Sequence, residues 1–498
     1  MLGDNMKNSI DRIAPQPQAL SASLTQNEQT VDRLFENSRD LRRRTTELFG
    51  HRMVLLFLDS MTNKDWIARN ILRPLFTAPR LPQDDADCFD YLCSSVLYTA
   101  ELQTKDTVED VEKELTVGSA VLLMEGVPRA VCMNVKGFAH RAIKESNREV
   151  TEQGVQESFI ELTVQNLAMI TRRLTTADLK SEDVEVGRAG STVTVVYLKG
   201  CAEQSVVQQI KQRLQQADLP AVLDSTYLRD HLSPGRWTLF NRVGSTTRPD
   251  VLCAKLQEGR IGIFVEGSPE ALTLPYLFFE ELQTPDDYCR RPFFAAFVRC
   301  VKLLAVILSI LLPGSYAALC MFNPEAFPAK MLYNLINADL AVPFTVATEV
   351  ILMQVLYEIM YEAGLRLPRP AGQSVSIVGS LVIGEAAVTS GLIGAPTVIV
   401  SAVSVICAFV APAIYSQIAL LRFVFILTGT LFDIYGVMIA VGALVICLCA
   451  QENWGVAFLS PLLPAKPLQQ RDALLRAPWH RLGKGRVHLQ RRNKKEGR

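Results

Sequence analysis

The chain has 498 residues, of which 49% are hydrophobic and 20% charged, and its 51 Lys or Arg balance 51 Asp or Glu. That length allows roughly two to four domains. A neutral balance, five His without ligand spacing and eleven Cys without CxxC exclude a general nucleic-acid binder and a Cys/His metal module, and the cysteines read as small buried hydrophobes.

The first 30 residues are polar and rich in Pro, Gln and Ser, and they hold no apolar core of a secretory signal. They read as part of a flexible lead over 1–40, with the soluble part left in the cytosol. Short apolar runs follow at 53–59, 120–126, 193–200 and 261–267, each ending in an acidic residue or a Gly where the chain can turn. Between them the spacing of Phe159, Leu162, Leu167, Ile170 and Leu174 predicts a helix over 157–174. Val206, Val207, Ile210 and Leu214 predict another over 204–216. Strand–helix alternation predicts α/β architecture in two subdomains, 41–145 and 146–240. A strand–turn segment, 241–292, completes the soluble part. The runs at 53, 120 and 261 share an apolar–acid–small pattern that hints at repeated units without amounting to a detectable repeat. Asp59, Glu125 and Glu266 read as strand-end turn residues rather than an acidic cluster.

From 293 onward the solvent changes. Residues 303–322 carry no charge, which is the length a helix needs to cross about 30 Å of hydrocarbon. Residues 386–421 are again uncharged, and 434–450 are apolar. Spans are expected near 297–321, 374–392, 395–415 and 418–450, the last being one tilted or broken helix or a tight hairpin. The fold class is therefore an α/β soluble domain followed by a polytopic α-helical membrane domain over 293–455. Arg290, Arg291, Arg299 and Lys302 before the first span, and ten Lys or Arg against two acids in the last 28 residues, place both ends on the cytosolic side. The number of crossings is then even, four or six. The basic tail, 456–498, reads as a contact for anionic lipid headgroups.

Several polar groups interrupt the apolar half. Glu385 lies inside SVSIVGSLVIGEAAVTSGLIGAP, where a carboxylate at mid-span costs about 2.5–3.5 kcal/mol and faces protein or water. It is either an ion-contacting group, a partner of Arg422, or a helix-end residue. Gly372, Ser376, Ser380 and Gly384 recur every four residues and form a small-residue face for close helix packing, or a hydrated path. The stretch 343–364 carries Glu349, Glu358 and Glu362 and makes a poor lipid-facing span but a plausible re-entrant, interfacial or pore-lining helix. Arg422 and Asp433 lie about 16 Å apart on one straight helix, so each needs a partner elsewhere. Pro313, Pro396 and Pro412, with Gly314, Gly391 and Gly394, break or bend spans, which is tolerated only where protein or a cavity satisfies the freed backbone. No P-loop, GxGxxG, HExxH or GxSxG element is present, so the chain reads as neither an enzyme nor a cofactor protein.

Several long blocks carry a resemblance: NKDWIARNILRPL (63–75), NLAMITRRLTTADLKSEDVEVGR (166–188), RPDVLCAKLQEGRIGIFVEGSPEALTLPYLF (248–278), RLPRPAGQSVSIVGSLVIGEAAVTSGLI (366–393), LLRF (420–423) and FLSPLLP (458–464). In this order, over about 40–465, the chain resembles the A subunits of spore germinant receptors, the GerA family. The resemblance implies a protein of the dormant spore's inner membrane, working with a transporter-like B subunit and a lipoprotein C subunit. It also implies a homo-oligomeric ring that conducts monovalent cations when germinant binds elsewhere in the complex. Glu349, Glu358, Glu362 and Glu385 would favour cations in such a pore. A non-conducting accessory subunit and a secondary transporter or exporter are the alternatives.

Overall fold

Successive side chains of a strand point to opposite faces, so an unbroken apolar run such as that after residue 53 has to be covered on both sides. The computed structural model describes residues 18–78, 81–97, 99, 101–137, 154–233, 239–367, 384–463, 472 and 476–478, and there it is covered. Leu41–Leu48 (β1), His51–Leu58 (β2), Leu102–Lys105 (β3), Ser119–Met124 (β4) and Ala130–Asn134 (β5) form a sheet of order β1-β2-β4-β5-β3. Met53, Leu55, Leu122 and Met124 pack on Ile67, Ile71, Phe89 and Leu92 of short helical segments. Val54, Leu56, Val121 and Leu123 face the other way, onto Leu24–Leu34 (α1) and Val108–Val117 (α2).

A second sheet repeats the plan. Thr163–Thr171 (α3) precedes Leu179–Val186 (β6), Ser191–Leu198 (β7), helix Gln204–Gln215 (α4), Gly244–Thr246 (β8), helix Pro249–Gln257 (α5), Ile261–Val265 (β9) and Ala271–Leu274 (β10). Its order, β6-β7-β9-β10-β8, matches the first sheet strand for strand. The likeness reaches single side chains. Asn27 in α1 donates to the Ser21 carbonyl at 2.7 Å and accepts the Ser21 amide at 2.8 Å. Asn166 in α3 does the same to Ile160, at 2.6 and 2.9 Å. Gly126 and Gly267, at φ +81° and +91°, turn the chain after β4 and β9 and donate to Ala22 and Glu161. The first unit of the chain is thus two copies of one module. They are joined by buried Lys180, which donates to the Leu34 carbonyl at the end of α1 (2.6 Å), and by Arg39, which bonds Asp183 and Thr194. Burial holds the Lys180 ammonium below the ordinary lysine range.

Four expectations change. The strands pair antiparallel throughout, so the modules are α+β rather than α/β. Alternation misleads here because β1–β2, β4–β5, β6–β7 and β9–β10 are hairpins, which need no crossover helix. The faint pattern at 120 and 261 marks equivalent strands, β4 and β9, of a real repeat, whereas the run at 53 is β2, the counterpart of β7. Residues expected in a flexible lead form α1, whose Leu24 and Val31 are buried against the first sheet. The helix expected over 157–174 spans only 163–171, because the Asn166 clamp keeps 160 in an extended approach and Glu266 accepts the Thr163 amide at its start. Glu266 is therefore a capping group, and Asp59 pairs with Lys64 at 2.6 Å, so these two strand-end acids are structural.

The second unit, drawn from 239–242 and 276–478, is helical. Pro292–Phe322 (α6) is followed by Ala329–Leu340 (α7), Val346–Arg366 (α8), Ala395–Phe409 (α9) and Tyr415–Ala450 (α10). Inside α10 the backbone leaves helical geometry at Phe432 and Asp433. A Cβ on Gly436 would lie 2.5 Å from the Thr428 carbonyl, and Val437 reaches Gly429. Residues eight apart lie about 12 Å apart on a straight helix, so α10 is a hairpin of two limbs. This is the tight-turn form of the expected 418–450 span.

Two outcomes check this fold. Asn27→Ala and Asn166→Ala each leave a part-buried amide and carbonyl without their side-chain partner and should cost about 1–3 kcal/mol in denaturant unfolding. Hydrogen exchange should quicken at Ser21 in the first variant and Ile160 in the second. Burial pushes the Cys132 and Cys253 thiols up to about 12. Both should resist iodoacetamide in the native protein at pH 8, while exposed Cys289 is alkylated.

Candidate functional site

Helices α6, α8, α9 and the first limb of α10 turn polar groups toward one another. Pairings fix their directions. Ser309 meets Arg422 and Asn323 meets Asp433, so α6 and the first limb run parallel. Tyr316 meets Thr397 and Ser309 meets Ser404, so α9 runs against α6. Along this interior lie Thr397, Ser401, Ser404, Ser309, Gln354 and Arg422, all at most 2% exposed.

Arg422 is the centre of this arrangement. Its Nε donates to the Ser309 carbonyl at 3.3 Å, one terminal nitrogen to the Ser309 hydroxyl at 3.0 Å, and the other to Gln354 Oε1 at 2.8 Å. Those partners are neutral dipoles, and none is Glu385. A backbone contact lies beside it. A Cβ on Gly314 would stand 2.4 Å from the Phe425 carbonyl, and one on Gly429 would stand 2.4 Å from the Gly314 carbonyl. The two helices therefore touch main chain to main chain, an approach open to glycine alone at both positions.

The expected site residues fall in different places. Glu349 is 1% exposed in the first turn of α8 and accepts the Gly394 amide at the start of α9 at 2.9 Å. Its side chain thus sits at two helix N-termini, one on its own helix and one on α9. It lines a cavity with Tyr316, Thr397, Cys320 and Asp339. Glu358 accepts the Tyr415 hydroxyl at 3.1 Å, beneath a stack in which Tyr361 lies 4.0 Å from the Tyr415 ring. Glu362 is exposed and pairs with Arg366 one turn on at 2.6 Å. Glu385 is exposed on a helical turn over 384–389 and is not among the bonded partners of Arg422. Asp433 sits at the α10 reversal and accepts from Asn323. Among the described residues, Gly384 has only Val398 near it, at 3.8 Å from an added Cβ. Gly372, Ser376 and Ser380 lie outside the described residues.

At the base of α6 a second polar cluster involves the tail. Arg299, 1% exposed, bonds Asp287 at 3.1 Å and Asp472 at 2.9 Å, and Lys302 bonds Thr284 at 2.8 Å. Arg476 donates to the Asp287 and Tyr288 carbonyls, and Arg299 and Arg476 both lie over the Tyr288 ring. Two of the four cations read as marking the cytosolic side, Arg299 and Lys302, are thus bonded inside the protein, and so is Arg476 of the tail read as a lipid contact. The sequence carried no sign of this, because Asp472 and Arg299 are 173 residues apart.

A family model described as Bacillus/Clostridium GerA spore germination protein matches residues 29–486, which extends past the 40–465 range of the sequence resemblance at both ends. The chain is 30% identical to spore germination protein KA of Bacillus subtilis (strain 168) over 430 residues, 86% of this chain and 79% of that protein. It is 29% identical to the uncharacterized membrane protein YfkQ of the same strain over 469 residues, 93% and 91% of the two chains. Spore germination protein GerLA of Bacillus cereus is 30% identical over 445 residues, 88% and 90%. Among solved structures, the N-terminal domain of the A subunit of the Bacillus megaterium spore germinant receptor GerK3 is similar at 24% identity and a TM-score of 0.42. That likeness covers 53% of this chain and 98% of that one.

The packing contact has a direct check. Gly314→Val and Gly429→Val should each force α6 and α10 apart and cost about 1–3 kcal/mol or more, read as a fall in melting temperature of the detergent-solubilised protein. Gly442→Ala, with no described atom within 4 Å of the added Cβ, should not lower that temperature.

Proposed function

Since the chain belongs to the Bacillus/Clostridium GerA spore germination protein family and so has a role in germination, we propose that it is the membrane subunit of a germinant-receptor complex. In this reading copies of the chain assemble into a pore that conducts monovalent cations when germinant binds a partner subunit. The observation that carries it is the apolar surface of the helical unit around a polar thread. Leu420, Val424, Leu427, Leu431, Met438, Ile439, Val445 and Ile446 of α10 are exposed, while Ser309, Gln354, Thr397, Ser401, Ser404 and Arg422 are buried within an otherwise apolar core. A surface of that kind belongs against lipid or another apolar chain, not water. Phe293, Phe294 and Phe297 are exposed at the base of α6, where an interfacial aromatic belt would lie.

Direction supports six crossings over four. The helices α6, α8 and α9 and the two limbs of α10 make five legs, and the ends of the bundle return to one side, where Phe278 bonds Phe458. An even count calls for one further leg; the span expected near 374–392, which holds Ser376, Ser380, Gly384 and Glu385, lies mostly outside the described residues. The small-residue face then serves packing between copies, and the exposed Glu385 faces the shared axis. A transporter-like B subunit and a lipoprotein C subunit are the partners, the spore inner membrane is the location, and the N-terminal unit and tail lie on the core side.

A second reading, a non-conducting accessory subunit, is favoured by one observation: Glu349, Glu358 and Glu362 are each held by a group of their own chain. Flux separates the two. In liposomes carrying the assembled complex, germinant-triggered K⁺ or Na⁺ release should fall at least about tenfold when Glu358, Glu362 and Glu385 are all changed to Gln. Unchanged release and germination would favour the accessory role.

A further inference from the structure

Pro313 sits inside α6. Proline has no amide hydrogen, and its ring crowds the carbonyl four residues back, so the Ser309 carbonyl loses the regular helical bond from residue 313. An open carbonyl in an apolar bundle is costly and has to be bonded from outside. Here Ser404 Oγ on α9 donates to it at 2.8 Å, and Arg422 Nε on α10 donates to it at 3.3 Å. Arg422 also ties α8 through Gln354 at 2.8 Å. Four helices therefore converge on one carbonyl, beside the Gly314 contact where α6 carries no side chain toward α10.

We propose that Arg422 is the positioning residue of a two-state hinge in α6, and that opening exchanges its partner Gln354 for Glu358. The proposal rests on the gated role above. Gln354 and Glu358 are one turn apart on α8, and Tyr415, which bonds Glu358, is two turns before Arg422 on α10. A slide of α8 past α10 by one turn, about 5–6 Å, would bring Glu358 to the guanidinium. The resting state holds the charge with neutral dipoles and keeps the proline break pinned. The other state pairs the charge with a carboxylate, drops the Ser309 carbonyl bond and frees α6 to bend.

A thermodynamic cycle on full-length protein in nanodiscs tests the hinge without reference to conduction. Arg422→Gln should lower the melting temperature, and adding Pro313→Ala, which restores an amide donor to Ser309, should recover most of that loss. Where Arg422→Gln does not accumulate, accumulation of the double variant reads the same rescue. Additive losses, or failure of both variants to accumulate, overturn the hinge. The exchange is tested by Gln354→Glu, which offers Arg422 a carboxylate in the resting place. It should raise the melting temperature and slow germinant-triggered cation release at least about tenfold, the size of a typical allosteric coupling. Intact wild-type release with an unchanged rate in Gln354→Glu overturns the exchange. A rescued cycle in a protein that releases no cation supports the hinge and counts against the conducting role alone.

Discussion

One carbonyl oxygen sets the terms for the helical unit. Once Pro313 interrupts α6, the Ser309 carbonyl has to find donors across the bundle, and in a dry interior only side chains of neighbouring helices can supply them. Ser404 and Arg422 do so, which fixes α9 and the first limb of α10 at the same level of α6. The reach of Arg422 then requires α10 to approach closely, and Gly314 and Gly429 allow it by removing side chains from the contact. The reversal at Phe432–Asp433 adds the second limb to the same core, where Val437 packs with Phe425. Each feature depends on the one before it.

The N-terminal unit is built on a different constraint. Its sheets are apolar on both faces and each needs two layers of cover, which the module supplies from its own helices. Repeating the module, rather than enlarging it, keeps each core within the reach of single helices. The junction is polar and specific: Lys180 on the end of α1, and Arg39 on Asp183 and Thr194.

Much of the fold was legible because periodicity survives divergence. The strands at 53, 120, 193 and 261 and the helix at 204 stand where apolar spacing put them. The repeat was not legible, since the two modules share topology and a few clamps such as Asn27 and Asn166 but little else. Antiparallel pairing was hidden because hairpins and crossovers leave similar alternation when the loops hold helices. In the helical unit, Arg422 and Asp433 stood out as charges needing partners, yet their partners, Gln354, Ser309 and Asn323, are ordinary polar residues that sequence alone cannot single out. Pro313 stood out as a break, but the donors to its freed backbone did not. A proline inside an apolar helix names the orphaned carbonyl four residues earlier, and a lone buried arginine is a natural donor for it. Glu385, prominent by its setting, proved exposed.

A high-resolution single-particle structure of the full-length protein in lipid nanodiscs addresses that carbonyl directly. The expected result is an Arg422 guanidinium nitrogen within about 3 Å of the Ser309 oxygen, with Gln354 on its other side. A bare Ser309 carbonyl, with Arg422 turned to a headgroup or paired with Glu385, would contradict the account.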